Sequence, residues 1–82
     1  MGSDKLIKVV IIHTRDNIIL SKKQYETWRD IQHEYNEYVT SLGPFTQEEL
    51  FDYFEIEYKN EWPIKRSEIE SFFLSTNTQL AS

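Results

Sequence analysis

Histidine and cysteine, the side chains that most often mark acid–base, metal or redox sites, are scarce in this sequence. The two histidines are His13 and His33, and His33 stands four residues before Glu37. On a helix that spacing supplies two ligands of a metal site, but such a site needs more ligands, and no further residue pattern marks them. The absence of cysteine excludes a disulfide framework and thiolate-based metal or redox sites. We therefore expect no metal and no cofactor.

Motifs of nucleophilic and phosphate-handling enzymes are also missing. The glycines are Gly2 and Gly43, too few for a glycine-rich phosphate loop or a serine nucleophile elbow. Carboxylates are plentiful between residues 30 and 58, but general acid–base catalysis needs carboxyl groups whose pKa values are separated by their environments. A run of surface acids does not provide that. The sequence indicates a protein that is not an enzyme and has no catalytic residues.

Charge is distributed unevenly along the chain. Its 82 residues include nine Lys or Arg and fourteen Asp or Glu, for a net charge of −5. Residues 1–29 have three more basic than acidic side chains, whereas residues 30–58 have eight acidic side chains and no Lys or Arg. This segmentation predicts an acidic surface that steers the protein to a basic partner. The alternative is an acidic surface that is only solvated.

Length and composition predict one compact domain over residues 1–74. The chain is near the lower size limit for a self-supporting core, but 39% hydrophobic and 15% aromatic residues are too many for a disordered chain. Residues 75–82 have no periodicity and are predicted to be a flexible tail. Neither a membrane span nor a signal peptide is visible, so we expect a cytoplasmic protein with no membrane partner.

The first half of the sequence predicts a β-hairpin and a long helix. The β-branched run from Lys5 to Thr14 is typical of a strand, and Ile18–Leu20 is a short returning strand after a polar turn. Next, Ser21-Lys-Lys-Gln24 has the pattern of a capping box. Apolar residues then recur every three or four positions, which predicts a helix over about residues 22–41 that ends at Gly43-Pro44.

The second half predicts two shorter helices. Thr46 and Glu49 form a second capping box, and Ser67 with Glu70 forms a third. The segment 54–58 alternates with period two, so we predict that the second helix ends near residue 55 and is followed by a short third strand. The predicted fold class is α+β: an N-terminal β-hairpin, a long helix and two shorter helices, with the third strand near 54–58.

The segment from Tyr38 to Phe54 resembles the opening of a helix-turn-helix domain, in which one helix ends at a glycine and a T-x-E-E-L helix follows. The resemblance covers residues 38–74 and implies a DNA-binding transcriptional regulator with Lys65 and Arg66 as its DNA contacts. Two features disfavour it. The predicted 56–66 connection is longer than the usual turn of about 3–4 residues. Residues 46–74 also carry more acidic than basic side chains, whereas DNA affinity depends on Lys and Arg. Nucleic acid is therefore the less favoured partner.

The favoured interpretation is a small non-enzymatic protein-binding module that acts through an acidic, aromatic surface. The composition is similar to that of small accessory proteins and inhibitors encoded by phages or mobile elements, which implies an inhibitor or regulator of a host protein. The predicted protein-binding residues are Glu48, Glu49, Asp52, Tyr53, Glu55, Tyr58 and Trp62.

The first strand gives a second hypothesis, which is self-association. Val9, Val10, Ile11 and Ile12 make this strand apolar on both faces, and a two-stranded sheet would leave an edge open for pairing. A homodimer is therefore one expected partner arrangement. The alternative is that the third strand and the helices cover this segment.

Overall fold

The computed structural model describes residues 7–81. They form an α+β structure whose four-stranded antiparallel sheet has the strand order β3-β1-β2-β4. In chain order the elements are β1 (Val9–Thr14), β2 (Ile18–Ser21), α1 (Trp28–Glu34), β3 (Tyr38–Phe45), α2 (Gln47–Tyr58), α3 (Arg66–Leu74) and β4 (Gln79–Ala81).

The predicted hairpin is present, and its turn is local. β1 and β2 pair antiparallel with Ile11 opposite Leu20. The Thr14 N–H donates to the Asn17 carbonyl at 2.9 Å, and the Thr14 hydroxyl accepts from the Asn17 N–H at 3.1 Å. These contacts span three residues, which is why the sequence pattern was sufficient to predict the turn.

Both faces of β1 are apolar, and other elements of the fold cover both of them. Val9 and Ile11 point to one face, where they join the main core with residues of α2 and α3. Ile12 is also fully buried but belongs to the opposite face by strand alternation. On that face α1 contributes Ile31, which lines the same cleft as Val10. None of the helices within residues 7–81 is long and apolar enough to cross a bilayer.

The long helix predicted over residues 22–41 is wrong. Helix α1 covers only Trp28–Glu34, and Tyr38–Phe45 form strand β3, antiparallel to β1. Ser21 is a fully buried strand residue rather than a helix cap. The three-to-four-residue spacing of apolar side chains fits a helix, but β1 is a central strand that needs backbone partners on both sides. Tertiary pairing therefore overrides local propensity here.

The predicted third strand near 54–58 is also wrong, because α2 continues through Tyr58. Phe54 and Tyr58 are one helical turn apart, and their rings meet edge to face at 5.4 Å. The start of α2 agrees with the prediction: the Thr46 hydroxyl accepts from the Glu49 N–H at 3.3 Å, and the Glu49 carboxylate accepts from the Thr46 N–H at 2.9 Å.

The last two elements complete the core and the sheet. Helix α3 buries Ile69, Phe72 and Phe73. The capping box predicted at Ser67 and Glu70 is wrong, because α3 begins at Arg66 with Lys65 as its N-cap and no side chain caps it. Beyond α3, within the segment predicted to be a tail, Gln79–Ala81 form β4 and pair with β2, so that Leu80 stands opposite Leu20. This pairing places the C-terminal strand at one edge of the sheet and β3 at the other.

Candidate functional site

The candidate site is a groove between α2 and the start of α3. It is an open cavity of ≈350 Å³, and we call it the α2–α3 groove. Its lining residues are Glu48, Phe51, Asp52, Glu55, Trp62 and Arg66.

Helix periodicity places the α2 members of the groove together. Positions 48, 51, 52 and 55 are three or four residues apart, which is the spacing of one helix face. The capping box at Thr46 sets the start of α2 and therefore the direction in which this face points. Three carboxylates of the acidic 30–58 segment are thus brought to one surface, beside the ring of Phe51.

The connection between α2 and α3 delivers Trp62 to the groove. Lys59 ends α2 with a φ of 53°, and the Glu61 N–H then donates to the Tyr58 carbonyl at 2.9 Å, which turns the chain back. The half-buried Trp62 ring lies 5.8 Å from the Phe51 ring and 5.4 Å, edge to face, from the ring of buried Phe54. The groove therefore has a floor of packed aromatic rings.

The charges around this floor are unequal. Arg66 is the one basic side chain that lines the groove; its guanidinium carbon lies 4.5 Å from the centre of the Phe51 ring, and its Nε is 3.6 Å from a Glu70 carboxylate oxygen. Within residues 7–81, Glu48, Asp52 and Glu55 have no ion pair and no side-chain hydrogen bond. The groove therefore presents three unpaired carboxylates and one arginine, a net negative lining, to an incoming ligand.

The other predicted protein-binding residues lie elsewhere. Glu49 caps α2, and the hydrogen bond from the Thr46 backbone lowers the pKa of its carboxyl. Tyr53 stacks on Phe45 at 5.7 Å, and Tyr58 packs against Phe54. Burial raises the pKa of both tyrosines. These two rings support the core and are not lining residues of the groove.

The hypothesis of self-association named Val9, Val10, Ile11 and Ile12. All four lie in β1, which pairs with β2 on one side and with β3 on the other. Val9, Ile11 and Ile12 are fully buried, and Val10 is half-buried. Among the strands formed by residues 7–81, β3 and β4 are the two edges of the sheet, so a partner strand would pair there and not at β1.

The residues carried over from the helix-turn-helix resemblance are Lys65 and Arg66. They stand at the start of α3, where Lys65 is the exposed N-cap and Arg66 faces the acidic groove. The resemblance also needs a helix that ends near Gly43, but that segment is strand β3. This arrangement does not place a basic surface beside α3.

Phe51 lines the groove, although it is not among the binding residues predicted from the sequence. Its ring is half-buried and contacts both Trp62 and Arg66. The signal that identifies it is its position three residues after Glu48 and four before Glu55, on the face that carries the carboxylates. Arg66 was singled out, but for DNA rather than for this groove.

A larger cleft of ≈460 Å³ lies elsewhere, and it includes Lys8, Lys23 and Tyr25. Lys23 already forms an ion pair, since its Nζ lies 2.6 Å from the Glu34 carboxylate. The same carboxylate accepts from the Tyr25 hydroxyl at 3.1 Å and from the Gln79 side-chain amide at 3.3 Å. The hydrogen bond from Lys23 above all, and then that from Tyr25, lower the pKa of Glu34. The cluster has a structural role, because it ties α1 to β4.

This cluster predicts a pH-dependent contribution to stability. The pKa of Glu34 in the folded protein lies below its ordinary value of 4.5, so the ionised carboxylate stabilises the fold at neutral pH. That contribution is lost as the pH falls through the folded-state pKa. In urea titrations we expect Glu34→Gln to be less stable than the wild type at about pH 7, with the difference closing near pH 3.

The matched control for Glu34→Gln is Glu37→Gln. Glu37 is exposed, and its carboxylate accepts no hydrogen bond from the described residues. Its replacement should change stability little at either pH. A stability difference between Glu34→Gln and the wild type that is equal at both pH values would contradict the assignment to the ionised carboxylate.

The structure brings together no metal-binding cluster within residues 7–81: no three His, Asp or Glu side chains lie close enough to hold an ion. His33 and Glu37, which a continuous helix would align, are separated because α1 ends at Glu34. Comparisons with known proteins give no assignment. No protein-family model matches the sequence, and no curated protein or solved structure shows a significant match.

Proposed function

We propose that this protein is a non-enzymatic protein-binding module whose α2–α3 groove receives a basic segment of a partner protein. One observation carries the proposal: three carboxylates without ion pairs or side-chain hydrogen bonds in the described residues stand beside a floor of half-buried aromatic rings. If the acidic helix face were only solvated, aromatic rings would not be required beneath it. If the aromatic cluster only filled the core, unpaired carboxylates would not be required around it.

This combination suits Lys and Arg side chains in particular. Their aliphatic stems cover apolar surface while the charged end remains among polar groups, and a cation over an aromatic face is attracted by the ring. Arg66 of the chain itself has this arrangement, since it lies over Phe51 and pairs with Glu70. A basic segment of the partner would repeat it at Trp62, with Asp52 and Glu55 as the acceptors.

The proposed mode of action is competition. Proteins that bind nucleic acids expose basic surfaces for phosphate groups, and a groove that offers carboxylates in place of phosphates would compete for such a surface. Binding of that kind makes the module an inhibitor or regulator of its partner. The charge around the start of α3 favours this function over DNA binding, because Arg66 there lies among carboxylates.

Charge reversal within the groove tests the proposal. The probe is a short fluorescent peptide rich in Arg and Leu, and its binding is measured by fluorescence anisotropy. The double variant Asp52→Lys, Glu55→Lys should weaken binding by about tenfold or more, equivalent to ~1.4 kcal/mol. The control variant Glu57→Lys, Glu61→Lys makes the same change in net charge at exposed positions that do not line the groove.

The control separates a specific site from bulk attraction between a basic peptide and an acidic protein. If the groove binds the segment, the control variant should keep its affinity within about threefold, because general electrostatic attraction is weak and screened by salt. Circular dichroism should show both variants folded, since all four positions are exposed. Equal losses in the two variants, or no loss in either, would contradict the proposed site.

A further inference from the structure

The two edges of the sheet differ in length. β4 at one edge has three residues, whereas β3 at the other has eight. Within residues 7–81, no strand pairs with the outer side of β3. A short edge strand offers little to an incoming strand, but a long one offers a row of backbone donors and acceptors.

β3 lacks the charged side chains that usually protect such an edge. Tyr38–Phe45 contain no charged residue, although natural edge strands are commonly blunted by Lys, by proline or by a bulge. Pro44 and the two irregularities in the pairing with β1 lie toward the ends of the strand. Thr40, Ser41 and Leu42 pair with β1 in regular register, so the centre of the edge is unprotected.

Apolar side chains are exposed along the same edge. Val39 is 63% exposed and Leu42 37% exposed, both in β3, and Trp28 at the start of α1 is 54% exposed. α1 lies beside β3, and a cleft of ≈230 Å³ includes Trp28, Leu42 and Pro44 in its lining. The open backbone edge is thus accompanied by an apolar surface that an added strand would cover.

We propose that β3 pairs antiparallel with β3 of a second copy of this chain, which extends the sheet to eight strands across a twofold axis. A twofold contact must be self-complementary, because each surface meets itself. Tyr38–Phe45 meet the electrostatic part of this requirement, since no antiparallel register can place like charges of this strand opposite each other. This is notable in a chain with a net charge of −5.

The size of the edge indicates a weak dimer. The three regular residues Thr40–Leu42 span about 10 Å and the whole strand spans at most about 27 Å, so at an edge height of ~10 Å the paired strand covers roughly 100–270 Å² on each copy. Stable interfaces bury about 800 Å² per partner, so the strand supplies at most a third of that area, and the exposed surface around Trp28 is the part of the proposed interface that would enlarge it. We therefore expect association in the micromolar range, with the populations of monomer and dimer dependent on concentration.

Sedimentation equilibrium of the full chain between ~1 and ~500 µM tests the dimer. The wild type should move from monomer to dimer, and Val39→Lys should raise the dissociation constant at least tenfold, because it places a charge on the edge. The matched control is Ile56→Lys, at a 72% exposed position of α2; it should leave association unchanged. A monomeric wild type throughout, or equal dissociation constants for the wild type and Val39→Lys, would overturn the proposal.

Amide hydrogen exchange on the wild type keeps the test independent of whether the variants fold. At high protein concentration, those amides of residues 39–42 whose N–H points away from β1 should exchange more slowly than at low concentration, because pairing with a second copy protects this outer row. Amides of α3 should exchange at the same rate at both concentrations. Exchange in residues 39–42 that does not respond to concentration would overturn the proposal and leave this edge to a strand from a different protein.

Discussion

Replacing Phe54 with alanine is expected to lower the free energy of unfolding by about 3–5 kcal/mol. Phe54 is fully buried in the main core. Its ring meets Tyr58 and Trp62 edge to face, each at 5.4 Å, and Tyr53 at 5.9 Å. Alanine removes the apolar area and also leaves a cavity at the point where these aromatic side chains converge. Because small domains have a total free energy of unfolding of about 5–15 kcal/mol, the substitution would remove a large part of it.

Urea unfolding, followed by circular dichroism, measures this change. The control is Ile56→Ala, two residues further along α2, where the side chain is 72% exposed; its effect should stay within about 0.5 kcal/mol. The variant also bears on the α2–α3 groove, since Trp62 packs on Phe54. Even when folded at low temperature, Phe54→Ala should bind the basic peptide less well. A loss of stability similar to that of Ile56→Ala would show that Phe54 is not the centre of the core.

Gly43→Ala is expected to cost about 1–3 kcal/mol, because two independent constraints require glycine at this position. Its φ is +112°, a conformation that residues with a side chain rarely adopt. A Cβ there would also lie 3.1 Å from the Val9 carbonyl oxygen and 3.2 Å from the Phe45 backbone nitrogen. Both neighbours are backbone atoms of paired strands, so neither can move aside without disturbing the pairing of β1 with β3.

The same urea experiment distinguishes these two constraints at Gly43 from a general sensitivity of β3 to substitution by alanine. Thr40→Ala is the comparison, because Thr40 is exposed and lies in the regular part of the strand. It should cost well under 1 kcal/mol. In Gly43→Ala, hydrogen exchange relative to the wild type should be accelerated more for the backbone amides that join β1 to β3 than for the amides of α3. If Gly43→Ala is as stable as Thr40→Ala, the strained backbone at this position does not control the stability of the strand.

Short-range interactions explain which parts of the fold could be predicted from the sequence. The hairpin turn between Thr14 and Asn17 and the capping box between Thr46 and Glu49 each close within three residues. The apolar face of α3 follows from the spacing of its own side chains. Each of these features is decided by neighbours that a short window of sequence contains.

Long-range pairing explains where the prediction failed. Residues 22–41 carry aromatic and apolar side chains at helical spacing, yet β3 forms over Tyr38–Phe45 because Val9 pairs with Phe45 and Thr14 with Tyr38. These partners are more than twenty residues apart, so no local pattern records their proximity. The same holds for β4, where Leu80 pairs with Leu20 across sixty positions of the chain. Backbone pairing with a central strand outweighed the helical pattern.

The candidate site divides in the same way. Charge and helical spacing are local properties, so the acidic middle of the chain and the capped helix that presents Glu48, Asp52 and Glu55 can be predicted from the sequence. The packing of Trp62 and Arg66 into the α2–α3 groove, and the positions of β1 at the centre and β3 at an edge of the sheet, become visible only in the folded protein. A groove and a sheet edge both depend on which distant segments pack together, and burial and backbone pairing across the whole chain control that packing.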